Sequence, residues 1–324
     1  MKKKVLFNLL RVGISAGLIA FLCWLMRGNL VDVIGAIKGA RRSFLFLSFF
    51  FFLAGMVLLA VRLRAIMTAQ HLAVTFKEAL YLVFIGQFFS NFLPTSTGGD
   101  IVKAYYASKK TGRATHTVAS IIVDRLLGTF TLVLMVMITS LCVKKVFFNH
   151  AIKVFIMIAL AVSLFVLGVL FSKRIARKMP FLGLLSRRFN AERQMKDVYE
   201  VIYNYRRHPA LLLNAACISL VLQAVIFYSA YLVTKSLGHP VPLKLVFLWM
   251  PIVSTAAMAP SINGLGVREG SMVFFFGQAM GREGAFAMSI VWLGLNFSAS
   301  LIGGLMYLFS SEYRIPKKEV LYDR

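Results

Sequence analysis

Five ionisable residues sit within or beside long apolar stretches of this sequence: Asp100, Asp124, Arg125, Arg268 and Glu269. A charge inside the hydrocarbon of a bilayer is costly unless it is paired or hydrated, so each of these residues needs a partner or a ligand. Arg125 and Arg268, with Lys103 close by, have the chemistry to hold a phosphate. Asp100, Asp124 and Glu269 could compensate those cations, meet an amine or carry a proton. A second reading stands beside this one, in which the same residues form a buried ion network that locks the surrounding elements together.

The residues just before these charges sharpen the anion-binding reading. Asn91, Pro94, Thr95, Ser96, Thr97, Gly98 and Gly99 precede Asp100, and Pro260, Ser261, Asn263, Gly264 and Gly266 precede Arg268. A Gly-rich turn that opens a helix presents unpaired amide N–H groups and the positive end of the helix dipole, a natural cradle for phosphate. Other chemistries are not signalled: there is no Ser-His-Asp set, P-loop or dinucleotide fingerprint. His71, His116, His150, His208 and His239 stand at no metal-ligand spacing. Cys23, Cys142 and Cys217 fall inside apolar spans and read as core packing. No catalytic residue, metal or cofactor is therefore expected. Asn296-Phe297-Ser298 fits a glycosylation acceptor but lies in an apolar span, which makes it a chance match.

The elements that must position these residues follow from composition. With 59% hydrophobic and only 15% charged residues, the chain departs far from a soluble domain, and its apolar residues must face lipid. The net charge of +25 comes from basic residues clustered in short segments between apolar spans, the positive-inside pattern rather than a nucleic-acid patch. Full spans are predicted at residues 5–26, 44–61, 118–143, 151–171, 211–234 and 285–309. Two further apolar regions, 76–107 and 243–280, are cut by Pro and Gly at residues 91–100 and 260–266. Each half is short for a crossing, so each region reads as a re-entrant pair of broken helices, tolerated at depth where protein or water satisfies the backbone.

The expected fold is thus an all-α polytopic membrane protein in one domain over 1–324, with six full transmembrane helices and two re-entrant pairs. With the N- and C-termini cytoplasmic, 24 basic residues fall on the cytoplasmic side, Arg62 and Arg64 among them, and 10 on the other. The Arg41-Arg42 pair is on the unfavoured side. The basic segment 172–209 reads as a cytoplasmic helical excursion at the membrane surface, or equally as a solvated loop.

The two broken regions share an order. A Lys (Lys77, Lys244) is followed by a Pro (Pro94, Pro260), a Gly-rich turn, an acidic residue, Gly-Arg (Gly112-Arg113, Gly281-Arg282) and a full span. Cassette one covers about residues 76–143 and cassette two about 243–309. Three predicted crossings, 118–143, 151–171 and 211–234, lie between the two broken regions, so these enter from opposite faces, as inverted repeats do in many transporters.

Three motifs in this order carry a resemblance: Asn91-Phe92-Leu93-Pro94 with Gly98-Gly99-Asp100; Val123-Asp124-Arg125-Leu126-Leu127-Gly128; and Pro260 with Gly264-Leu265-Gly266-Val267-Arg268-Glu269-Gly270. Together they resemble the lysylphosphatidylglycerol synthase transmembrane (flippase-like) family over about residues 5–310. The resemblance implies a multi-pass inner-membrane protein linked to moving aminoacylated phospholipids, other phospholipids or polyprenyl-phosphate carriers, with Asp100, Asp124, Arg125, Arg268 and Glu269 at motif positions. Lys103 stands where such motifs often have Arg, which keeps the charge and loses the bidentate fork. The bifunctional synthases carry a soluble transferase domain after the membrane part, whereas this chain runs only to Arg324, so lipid synthesis is not expected. The expected role is translocase or scramblase for a phosphate-headgroup lipid. Alternatives are a non-transporting membrane partner of a lipid-modifying enzyme and an intramembrane transferase acting on a lipid-linked sugar.

Overall fold

The computed structural model describes residues 30–92, 98–143, 157, 161, 168, 192–258 and 264–309, and every regular element among them is helical. In chain order these are α1 (Leu30–Lys38), α2 (Arg42–Thr68), α3 (Phe76–Phe92), α4 (Gly98–Thr111), α5 (Ala114–Cys142), α6 (Glu192–Asn204), a 3-10 turn at Tyr205–Arg207, α7 (Pro209–Ser236), α8 (Leu243–Ala256) and α9 (Val267–Phe309). Four of them, α2, α5, α7 and α9, are long and apolar enough to cross a bilayer. The expected spans 5–26 and 151–171 lie outside the described residues, apart from single helical positions at Met157, Ala161 and Gly168.

The long helices carry apolar residues outward and polar ones inward. Phe46, Phe50, Phe274, Leu301 and Phe309 are exposed, while Ser48, Ser219, Ser229 and Gln223 are buried. In lipid, helices gain nothing by hiding apolar surface from each other, so close packing and hydrogen bonds must join them. Between α2 and α7, Ser48 Oγ donates to the Ser229 carbonyl at 2.9 Å and Ser229 Oγ returns a bond to the Ser48 carbonyl at 2.8 Å. Farther along, Gly55 admits the Ile226 side chain and Arg62 reaches Ser219, so the two helices run antiparallel. Gln223 Nε2 ties α7 to α5 by donating to the Gly128 carbonyl at 3.1 Å and to Thr131 Oγ1 at 2.7 Å.

Helices α3 and α4 form an antiparallel hairpin. A capping box opens α3, with the Thr75 amide donating to Glu78 Oε2 at 2.9 Å. The same Glu78 bonds Lys110 near the end of α4 at 2.5 Å, so the hairpin begins and ends at one place. Midway, Gly86 faces the Lys103 side chain, and Gly99 lies so near the Gly86 carbonyl and Ser90 that a Cβ there would overlap both. α8 and the first part of α9 repeat this form: the Trp249 and Phe276 rings pack edge to face at 5.1 Å, and Gly264 packs against Ala257. Each hairpin ends at a glycine of positive φ, Gly112 at 65° and Gly281 at 75°, a conformation strained for residues with a Cβ. An arginine follows, then a long helix; α9 thereby divides into 267–280 and 282–309.

The two sets of elements exchange partners. α3 packs on the second part of α9, where Gly303 and Gly304 leave room for the Phe84 carbonyl and the Phe88 ring. α8 packs on α5, where Thr139 Oγ1 reaches the Phe247 carbonyl at 3.4 Å.

Two details differ from expectation, and a third adds to it. The 44–61 span continues as helix to Thr68, which makes Arg62 a buried helical residue rather than a loop charge. Cys142 and Cys217 are exposed on their helices rather than packed in the core. Of the excursion 172–209, the described part folds back: α6 packs on α5, and Tyr205 is fully buried beside Ile66 and Ala119. Tyr205 Oη donates to the Ile66 carbonyl at 2.9 Å and shares a 2.8 Å bond with Ser120. Burial pushes its phenol up to about 12, which keeps it neutral and able to donate.

Candidate functional site

A cavity of about 330 Å³ lies where α2, α4, α5, α7 and the end of α8 meet. One wall is charged, formed by Arg62, Asp100, Lys103, Asp124 and Arg125; Leu59, Leu132, Leu222, Ile226 and Phe227 supply an apolar wall. Ser254 and Met258, at the end of α8, close another side. The start of α4 and the end of α8 are therefore both at the cavity, so the two hairpins present their turning ends to the same space. Asp124 lies ten residues into the 29-residue helix α5, about 15 Å along its axis.

Two ion clusters share the charged wall. Arg62 Nε and Nη2 hold the Asp124 carboxylate in a fork at 2.7 and 2.9 Å, and Nη1 donates to Ser219 Oγ at 2.8 Å. With Arg62 only 4% and Asp124 6% exposed, this pair is buried, and all three guanidinium nitrogens are engaged. Asp100 bridges two cations, accepting from Lys103 Nζ at 2.8 Å and from Arg125 Nη1. Lys103 and Arg125 thus each spend one donor on Asp100 and keep others for a ligand; the Arg125 side chain is 36% exposed. Gln223 Oε1 is buried with no donor among the described residues.

Of the residues singled out in the sequence, Asp100, Lys103, Asp124 and Arg125 come together in this cavity. Asn91 is the last residue but one of α3, beside the hairpin turn, and half-buried. Gly98 and Gly99 are buried, and Gly99 serves the close approach of α4 to α3. Pro94, Thr95, Ser96 and Thr97, and likewise Pro260, Ser261 and Asn263, lie outside the described residues.

Arg268 and Glu269 are not among the residues lining the cavity. They form their own buried pair, Arg268 Nη2 to Glu269 Oε1 at 2.8 Å. Glu269 Oε2 also accepts from the Gly266 amide at 2.6 Å. One described amide of the second hairpin's turn, that of Gly266, is therefore taken by a carboxylate of the chain itself, with Gly264 and Gly266 in positive φ to shape the turn. Asp100 and Glu269 occupy the same place in their half-helices, in the first turn, yet one reaches across to the cavity cations and the other caps its own helix.

Sequence reasoning missed Arg62, Ser219 and Gln223. The signal for Arg62 was Asp124 itself, since a carboxylate in an apolar helix demands a cation on a neighbouring helix. No spacing rule says which helix that is. Among the described residues no group of His, Cys, Asp and Glu could hold a metal ion.

Comparison with curated proteins and with solved structures finds no match. Residues 8–304 match the family described as the lysylphosphatidylglycerol synthase TM region. That match covers nearly the whole chain and agrees with its long apolar helices, so this multi-pass membrane protein belongs to the lysylphosphatidylglycerol synthase transmembrane family.

Proposed function

We propose that this protein moves a lipid with a phosphate headgroup, a phospholipid or a polyprenyl-phosphate carrier, across the inner membrane as a translocase or scramblase. The observation that supports it is the cavity in which Lys103 and Arg125 offer spare donors among apolar lining residues, at the ends of two hairpins. A headgroup phosphate meets the cations while the chain region meets Leu132, Ile226 and Phe227. The site works by binding and exposure to alternate faces, without covalent chemistry.

On this reading the hairpins are re-entrant. α3, α4 and α8 have 17, 14 and 14 residues, about 25, 21 and 21 Å of helix, short of a crossing of about 30 Å. The spans 5–26 and 151–171 complete six crossings. Leu243 follows Phe76 by 167 positions and Gly281 follows Gly112 by 169, and each hairpin packs against the long helix of the other set. These features support inverted repeats around a central site. The excess of basic residues on one side supports a cytoplasmic position for both termini.

The test is transbilayer movement in proteoliposomes, with labelled phospholipids and a polyprenyl phosphate, for wild type beside equally monodisperse Lys103→Ala and Arg125→Ala. Movement of one lipid class by wild type, reduced about tenfold or more in both variants, is the expected result. Absence of movement by folded wild type would overturn the proposal in favour of a non-transporting partner of a lipid-modifying enzyme.

A further inference from the structure

We propose, building on the translocase reading, that the cavity selects a headgroup with a single net negative charge: a phosphodiester lipid without a compensating amine. The inference rests on the charge balance of the described residues lining it. Arg62, Lys103 and Arg125 face Asp100 and Asp124, three cations against two carboxylates, which leaves one positive charge. Arg62 and Asp124 neutralise each other in a two-bond fork, so the surplus lies on Lys103 and Arg125, which share Asp100.

Three headgroup classes meet this surplus differently. A phosphodiester anion neutralises it and can take the spare donors of Lys103 and Arg125. A phosphomonoester dianion leaves one uncompensated negative charge; its desolvation cost grows with the square of charge while its attraction grows only linearly, so in a low-dielectric cavity the second charge is a net loss. A zwitterion brings no net charge and leaves the surplus of the half-buried Lys103 and Arg125 uncompensated, while its ammonium finds Asp124 already held by Arg62 and Asp100 by Lys103 and Arg125. A lysyl-bearing phosphodiester lipid, with two ammonium groups and one phosphate, is net cationic and fits worse still.

The full chain in detergent, titrated with short-chain lipids of identical tails bearing phosphoglycerol, phosphomonoester or phosphoethanolamine headgroups, tests this. We expect the phosphoglycerol lipid to bind about tenfold or more tightly than either other, a difference of about 1.4 kcal/mol. Asp100→Asn raises the surplus by one charge and moves the preference toward the phosphomonoester. Lys103→Met removes it and lifts the phosphoethanolamine lipid to parity. Equal binding of the three lipids by wild type, or an unchanged order in both folded variants, overturns the selectivity. The same panel in the proteoliposome assay separates the two claims: rapid movement of the zwitterion sinks charge selection and leaves translocation standing, whereas movement of none sinks translocation itself.

Discussion

Replacing Asp124 by Leu leaves Arg62 charged, 4% exposed and without its carboxylate, keeping only the bond to Ser219. Breaking one side of a buried pair costs about 3–5 kcal/mol, because the remaining charge stays desolvated. At roughly 2 °C per kcal/mol for a chain of this size, the melting temperature in detergent falls by roughly 6–10 °C. Arg62→Met alone strands Asp124 and costs a similar amount. In the double variant no buried charge is left at that corner, and Ser219 Oγ still donates to the Ala215 carbonyl at 2.8 Å. Replacement of a whole buried pair by apolar residues is often neutral or stabilising. The double variant therefore melts within about 2 °C of wild type, far above the sum of the single losses, a coupling of several kcal/mol in the cycle. The assay is thermal unfolding of the three variants and wild type, followed by tryptophan fluorescence and size-exclusion homogeneity. Single variants that melt as wild type, or a double variant as unstable as the two losses added, would refute the view that this pair is a self-contained lock between α2 and α5.

Two other outcomes follow from packing. Gly303→Ala puts a methyl into the Phe84 backbone carbonyl and should destabilise by about 1–3 kcal/mol, whereas Gly294→Ala, with nothing within 4 Å of its new Cβ, should be neutral or gain up to about 1 kcal/mol; thermal shift of the pair checks the contrast. Tyr205→Phe removes the hydrogen bonds to the Ile66 carbonyl and Ser120 and should cost about 1–2 kcal/mol, read as faster proteolysis or hydrogen exchange over α6 with the rest of the chain unchanged.

Much of the architecture could be read directly from residue order. Apolar runs fall on α2, α5, α7 and α9, and the Pro/Gly interruptions fall between α3 and α4 and between α8 and α9. Gly112 and Gly281, matched in the sequence only by the arginine after each, both prove to be hairpin exits with positive φ. Such features are local: hydrophobic length and the freedom of glycine act over a few residues. Asp100, Lys103, Asp124 and Arg125 were also legible, because a charge in an apolar stretch is conspicuous wherever it ends up.

The division of labour among those charges was not legible. Arg268 and Glu269 look like Asp124 and Arg125 in sequence, yet Glu269 turns back to the Gly266 amide and its own neighbour, while Asp100 and Arg125 cross between helices. Arg62 seemed to belong to a loop because the apolar run weakens at its position, and only the antiparallel packing of α2 with α7 and its crossing of α5 brings it to Asp124. The sequence by itself determined that this chain lives in a membrane, where it breaks its helices and which charges need partners, since those depend on composition and short-range sterics. Which charges pair, which keep donors free and where the cavity opens were decided by tertiary structure, because ion pairs across helices depend on crossing geometry that no linear spacing encodes.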